Sequence, residues 1–379
     1  MTPHPLERRA TVAWGGALPA LEQLVGRTRD WHAALPFTRL TDYGMEPADA
    51  RELLWRTARH EDWTSVAREI GSRQLARADA ASGQAGGRTE LISVRAGGAA
   101  LNVAQVPINS DSELKRELYA QFQQAVARYA ALRGGMERVS LPYADAAVDG
   151  WLLFPRGAPA AAVVVWGGLS GWGAAYLGIA EELTARGLVC VLAEGPGQGT
   201  TRLDSFLHAA EDALGGYRRF IDLLAADPRT SAMPIGIYGN SIGGMIAARV
   251  TAIDRRVRAC AINCAPSAVE LPDAVGPRDQ FLAFLGLEGR LEEAQRSIRR
   301  LNFDPQRDQI DAALLVLHGG ADGLVTRESA AEFLAAARAE SAANLLTWPD
   351  GEHTLYNHSS ERDAIVADWF AERLTENDG

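Results

Sequence analysis

Apolar residues recur at three- and four-residue steps over 18–25, 48–58, 63–70, 89–106 and 112–132, the period of helices that bury one face. Ser112, following Asn109, Ser110 and Asp111, suits a helix start, and Gly134-Gly135 a stop. The pattern changes from Glu137. Residues 139–141 and 150–154 read as the strands of a hairpin. Compact apolar runs at 160–166, 188–193, 235–238 and 313–317 then alternate with helical stretches, and 257–262 and 344–348 are weaker strand candidates. Such alternation predicts an α/β fold, a mostly parallel sheet with helices on both faces. The expected division is a helical domain, residues 1–136, and an α/β domain, residues 137–379. Residues 266–310 break the rhythm with Pro266, Pro272 and Pro277 before a charged helix over 287–301, as an insertion near the mouth of the sheet would.

In open α/β sheets reactive groups gather at the carboxyl ends of the strands. The run at 235–238 is followed by Gly239-Asn240-Ser241-Ile242-Gly243-Gly244 and then an apolar, alanine-rich helix. A serine at the tip of a sharp strand-to-helix turn has a strained backbone, small neighbours and helical N–H groups aimed at its hydroxyl. The run at 313–317 leads into His318-Gly319-Gly320-Ala321-Asp322, and the last strand into Pro349-Asp350-Gly351-Glu352-His353. The order Ser…Asp…His is the one such sheets use for a nucleophile, an orienting acid and a base. Ser241 is the expected nucleophile, His353 its base and Asp322 the acid that fixes the imidazole. His318 and His358 are rival bases, and Asp350 a rival acid. An oxyanion needs two preorganised donors. The N–H of Ile242 is one candidate. The other is that of Leu169, in the glycine loop 166–172 after the first long strand, for which an ordinary glycine turn is the alternative. Trp172 and Tyr176, just beyond that loop, are candidate substrate contacts.

Composition narrows the classes. The chain has 379 residues, 47% of them apolar, and a net charge of -10 from 38 basic and 48 acidic side chains. That is enough apolar matter for a large core and two domains. No block of five basic residues occurs, which argues against a nucleic-acid partner or an anionic membrane surface. Cys190, Cys260 and Cys264 lie in apolar segments, as buried thiols do. The first residues have no apolar signal core, and a cytoplasmic protein is expected. No metal-ligand spacing or P-loop is present, so no cofactor is expected. Gly195-Pro196-Gly197-Gln198-Gly199 follows a strand, but Thr200 stands where a dinucleotide loop needs glycine, and a structural loop beside the active site is the better reading. Trp14, Trp31, Trp55 and Trp63, with Phe37 and Tyr43, are read as core or subunit-contact residues of the helical domain, the lining of an aromatic substrate pocket being the alternative.

These residues, with Arg95-Ala96-Gly97-Gly98-Ala99-Ala100 and the helix 112–129, resemble the α/β-hydrolases that carry a helical N-terminal domain: the 2,6-dihydroxypseudooxynicotine hydrolase type, the fungal polyketide-shortening hydrolases and the FrsA-like esterases. The resemblance implies an α/β-hydrolase fold with an N-terminal helical cap that often joins two subunits, and a Ser241–Asp322–His353 triad. It implies a small-molecule acyl or ketone substrate, cleaved at a carbon–carbon bond or an ester. It also points to Glu270 as the extra glutamate that the carbon–carbon hydrolase of the group places about thirty residues after its serine. The chain departs from the group's pattern at Ser170, Glu194 and Asn240. The expected function is that of a serine hydrolase, with carbon–carbon cleavage preferred through the resemblance. A carboxylesterase or thioesterase is the first alternative. An acyltransferase or cyclase, or a non-catalytic binding protein on the same scaffold, comes next.

Overall fold

The described residues of the computed structural model are 35–83, 87–210, 212–338 and 342–375. The expected helix 18–25, Trp14 and Trp31 lie outside them. The described part of 1–107 forms one compact unit with 120–133, and 108–119 with 134–379 forms a second.

The first unit is helical: α1 Phe37–Asp42, α2 Pro47–Thr57, α3 Trp63–Ala81, α4 Arg88–Gln105 and the later turns of α5 Glu113–Arg133. Asp62 caps α3 by accepting from the Ser65 N–H at 2.8 Å. The helices α3 and α4 approach closely where glycine faces glycine, since a Cβ on Gly71 or Gly97 would lie 3.1 Å from the other's carbonyl oxygen. Gly97 belongs to the Arg95–Ala100 segment read from the sequence, so that segment's small residues serve helix packing. Trp63 is buried and donates its indole N–H to the Val103 carbonyl at 2.9 Å.

The second unit is built on eight strands: β1 Met136–Tyr143, β2 Ala146–Leu153, β3 Ala161–Trp166, β4 Leu188–Glu194, β5 Ile235–Asn240, β6 Val257–Asn263, β7 Ala313–Gly319 and β8 Ala343–Trp348. They lie in the order β1-β2-β4-β3-β5-β6-β7-β8. The hairpin β1–β2 is antiparallel and pairs antiparallel to β4; all later pairings are parallel. The central strands are buried on both faces, as a sheet covered by helices on each side demands. On one face Val164, Trp166 and Ile237 pack with Tyr217, Phe220 and Ile221 of α8 Ala213–Ala226 and Ile246 of α9 Ile242–Ile253. On the other, Phe370 of α13 Ser359–Thr375 seats over Gly236 of β5. The remaining helices are α6 Leu177–Ala185, α7 Gly199–Leu203, α10 Val275–Leu285, α11 Leu291–Leu301 and α12 Arg327–Ala335. The sheet, its helices and the helical N-terminal region make this an α/β-hydrolase fold.

Two sequence readings are corrected. The charged helix expected over 287–301 begins at Leu291, after Gly286 and Gly289 turn the chain at positive φ. The proline-rich stretch before it contains α10, because Pro277 occupies the third helical position, where a missing N–H breaks no intrahelical bond. Among the described residues no helix is long and apolar enough to cross a membrane.

Candidate active site

The strand order reverses around β3, and β3 and β5 run side by side with Trp166 opposite Gly239. The loop leaving β3 therefore starts level with the turn leaving β5. A Cβ on Gly168 would lie 3.3 Å from Ser241 Cβ, and one on Gly243 would collide with the Gly167 carbonyl. Ser241 has φ 52° and ψ −124°, a region that side chains with a Cβ rarely enter. Its own N–H is held by the Asn263 carbonyl at 2.9 Å, and its carbonyl by the N–H of Gly244 at 2.8 Å. The hydroxyl is thus presented at the mouth of the sheet by backbone bonds on both sides.

The acid and base loops are tied to each other. Gly320 N–H donates to the Trp348 carbonyl at 2.7 Å, and Ala321 N–H to the Gly351 carbonyl at 3.0 Å. Asp322 follows β7, and its Oδ1 accepts from the N–H groups of Leu324 and Val325 at 2.8 and 3.0 Å. Its Oδ2 lies 2.8 Å from His353 Nδ1, and His353 Nε2 lies 3.1 Å from Ser241 Oγ. The Asp322 side chain is fully buried, while the imidazole is 23% exposed, so the carboxylate is shielded and the imidazole reachable. Burial pushes the Asp322 carboxyl upward, but the His353 bond and the two backbone N–H groups outweigh it and hold it below the ordinary carboxylate value.

The structure brings Ser241, His353 and Asp322 together and leaves the rivals apart. His318 is buried within β7. His358 and Asp350 pair with each other at 3.0 Å at the surface. Among the described residues the N–H groups of Leu169 and Ile242 have no protein acceptor. The Gly168 N–H, by contrast, faces the Tyr176 hydroxyl at 3.4 Å. Trp172 and Tyr176 are both buried, and Trp172 donates its indole N–H to the Leu169 carbonyl at 3.0 Å. Glu270 is exposed and pairs with Arg299 at 3.6 Å. Cys260 and Cys264 are buried, which pushes each thiol up to about 12.

Several polar residues frame the site: sequence reasoning named Gln198, Glu194 and Asn240 without assigning them these bonds, and passed over Asn263, Arg362 and Lys115. Gln198 is fully buried, and its Nε2 donates to the carbonyls of Gly167 and Gly168 at 2.8 and 2.9 Å. Asn240 and Asn263 end β5 and β6. Asn263 Nδ2 donates to Asn240 Oδ1 at 2.7 Å and to the carbonyl of Thr354, beside the base, at 2.9 Å. The buried Arg362 donates to that same carbonyl at 2.9 Å. Glu194 ends β4, where its carboxylate accepts from the Tyr119 hydroxyl and from the Thr200 N–H. Burial pushes it up to about 7 against those two bonds. Lys115, the chain's single lysine, is buried 5.0 Å from the Trp172 ring, which Arg202 also faces at 5.5 Å. Burial and the Arg202 charge hold its ammonium well below the usual lysine value. A signal existed for most of these: a polar residue closing an otherwise apolar strand, or a residue type used once.

Residues 157–291 match the family model described as serine aminopeptidase, S33. Among solved structures, a 2,6-dihydroxy-pseudo-oxynicotine hydrolase is 21% identical, with 89% of this chain and 95% of that one covered at a TM-score of 0.79. Wild-type AbyA5 is 18% identical, with 93% and 98% covered at 0.63. At such identities the likeness speaks for the fold, and it extends over the helical region as well as the sheet. No curated protein matches the chain.

Proposed function

We propose that this α/β-hydrolase is a serine hydrolase that transfers an activated acyl group to Ser241 and then to water. The observation that carries the reading is the unbroken hydrogen-bond chain from Ser241 Oγ through His353 to Asp322. A serine hydroxyl is a weak nucleophile at neutral pH and needs a base that can take its proton during attack. His353 Nε2 stands at that distance, and Asp322, ionised and buried, keeps the Nδ1 proton and orients the ring. Attack on the substrate carbonyl forms a Ser241 Oγ–C bond and moves the carbonyl pair onto oxygen. The N–H groups of Leu169 and Ile242 are assigned as donors to that oxyanion. Collapse expels the leaving group, which takes its proton from His353. Water, deprotonated by the same imidazole, then cleaves the acyl-enzyme.

The preferred substrate is a ketone whose leaving carbon can be stabilised as an enolate or a ketonised phenol, such as a β-diketone or an acylated dihydroxy-aromatic. Support comes from the resemblance and from the whole-chain likeness to a pseudo-oxynicotine hydrolase. One observation favours a second reading, ester or thioester hydrolysis. Glu270, the candidate for an extra acid in carbon–carbon cleavage, points to solvent and Arg299, and an alkoxide or thiolate leaving group needs no such acid. The helical unit, the described part of 1–107 with 120–133, is read as the contact of a homodimer. Turnover of a β-diketone panel beside p-nitrophenyl esters tests the substrate reading. Ketone cleavage that disappears in Ser241→Ala is expected; rapid ester turnover with no ketone cleavage would establish the second reading.

A further inference from the structure

The carbonyls of Gly167, Gly168 and Leu169 are each held from the same loop's surroundings by a side-chain donor. Gln198 Nε2 spans the first two, at 2.8 and 2.9 Å, and Trp172 Nε1 takes the third at 3.0 Å. A trans peptide unit points its C=O and its N–H in opposite directions. The carbonyl of Gly168 and the N–H of Leu169 belong to one such unit. Fixing the carbonyl on Gln198 therefore fixes the N–H on the far side. Gly168 is the loop residue whose Cα backs onto Ser241, with a virtual Cβ 3.3 Å from Ser241 Cβ and 3.9 Å from its Oγ. The preceding unit behaves alike: Gln198 holds the Gly167 carbonyl, and the Gly168 N–H is turned to the Tyr176 hydroxyl.

The side chains that do the holding are themselves immobilised. Gln198 is fully buried, and its Oε1 faces the Gly195 N–H at 3.4 Å, which fixes the sense of the amide. A flipped amide would set Oε1 against two carbonyl oxygens. Trp172 is buried, with Lys115 Nζ 5.0 Å and the Arg202 guanidinium 5.5 Å from its ring and the Tyr119 ring edge-on at 5.6 Å. Arg202 is anchored in turn by Asp111.

We propose that Gln198 and Trp172 are positioning residues for the oxyanion site: Gln198, on the Gly168 carbonyl, aims the Leu169 N–H at the charge that develops on the attacked carbonyl, and Trp172, on the Leu169 carbonyl, fixes the peptide unit that follows. This rests on the serine-hydrolase reading and adds to it the side chains that preorganise one of its two donors. A glycine loop left to itself has too many backbone states to keep a donor aligned, and alignment before reaction is what makes such a donor effective.

The test uses the full chain and a fluorophosphonate, whose reaction with Ser241 also builds negative charge on an oxygen at the oxyanion site. Gln198→Met keeps the volume and removes both donors. The rate of Ser241 labelling should fall about ten- to a hundredfold, short of the hundred- to thousandfold that loss of a donor itself brings. Binding of a trifluoromethyl ketone should weaken by a similar factor. The pH midpoint of labelling should stay at the wild-type value, because the base is untouched. A labelling rate within twofold of wild type, or a loss accompanied by a shifted midpoint, would overturn the proposal. If Gln198→Met does not fold, Trp172→Phe decides, since it keeps a buried ring and drops the single bond to Leu169. A three- to tenfold loss at an unchanged midpoint supports the proposal, and an unchanged rate contradicts it. Wild-type protein that resists labelling at Ser241 would instead remove the serine-hydrolase reading itself.

Discussion

At φ 52° and ψ −124°, Ser241 holds a conformation that costs a residue with a Cβ on the order of 1–3 kcal/mol. The bonds around it, from Asn263 and Gly244, keep it there. Removing the Cβ relieves that cost. Ser241→Gly should therefore unfold at a free energy about 1 kcal/mol above that of Ser241→Ala in urea titrations, although glycine ordinarily destabilises. Both variants should lose kcat by on the order of 10⁴ or more. His353→Ala should be nearly as damaging. His318→Ala should cost less than about tenfold in kcat, since buried His318 belongs to β7 and not to the hydrogen-bond chain. Equal losses from the two histidines in steady-state assays would contradict the base assignment. Glu194 gives a pH signature. Its folded value, about 7, stands above the ordinary 4.5, so the stability tied to its protonated form is complete below about 4.5 and lost as pH rises through about 7. Glu194→Gln cannot ionise. Its melting temperature should rise relative to wild type across that window and the difference should level off above it. The Asp322 shift runs the opposite way, losing stability as pH falls, but it is common to both proteins and cancels in the difference.

At the scale of elements, the strands were legible in their apolar middles and not at their carboxyl ends. β4 runs on to Glu194, β5 to Asn240, β6 to Asn263 and β7 through His318 to Gly319. Those polar ends are buried, and those of β5 and β6 are bonded to each other, which a pattern of hydrophobicity does not register. The base loop has the same character. Thr354 and Leu355 both have positive φ, and the carbonyl between them is clamped by Asn263 and Arg362. Asn263→Ala removes one clamp and one of the two donors to Asn240 Oδ1, the other being the Tyr238 hydroxyl. It should cost about 1–3 kcal/mol in urea unfolding. It should also lower kcat about tenfold through a misplaced His353, a displacement of an ångström being enough. An unchanged kcat at reduced stability would mean that Arg362 alone holds the loop. The prolines before α10 misled for a different reason: they fall where a helix tolerates them.

For the whole molecule, the alternation of strands and helices made the α/β class readable, and the order of Ser241, Asp322 and His353 along the chain suggested their proposed roles. What no local pattern carries is the strand order. Placing β3 between β4 and β5 sets the 167–169 loop beside Ser241 and brings Gln198 beneath it, a convergence of segments far apart in sequence. Asn240, Asn263, Gln198 and Arg362 acquire meaning only through that convergence. Reaction of Ser241 with a fluorophosphonate, read as an adduct on its peptide by mass spectrometry, tests the convergence most directly. Folded wild-type protein should be modified at Ser241 and at no other serine, and His353→Ala should suppress the modification. An unmodified Ser241 in folded protein, or labelling as fast without His353, would contradict the account.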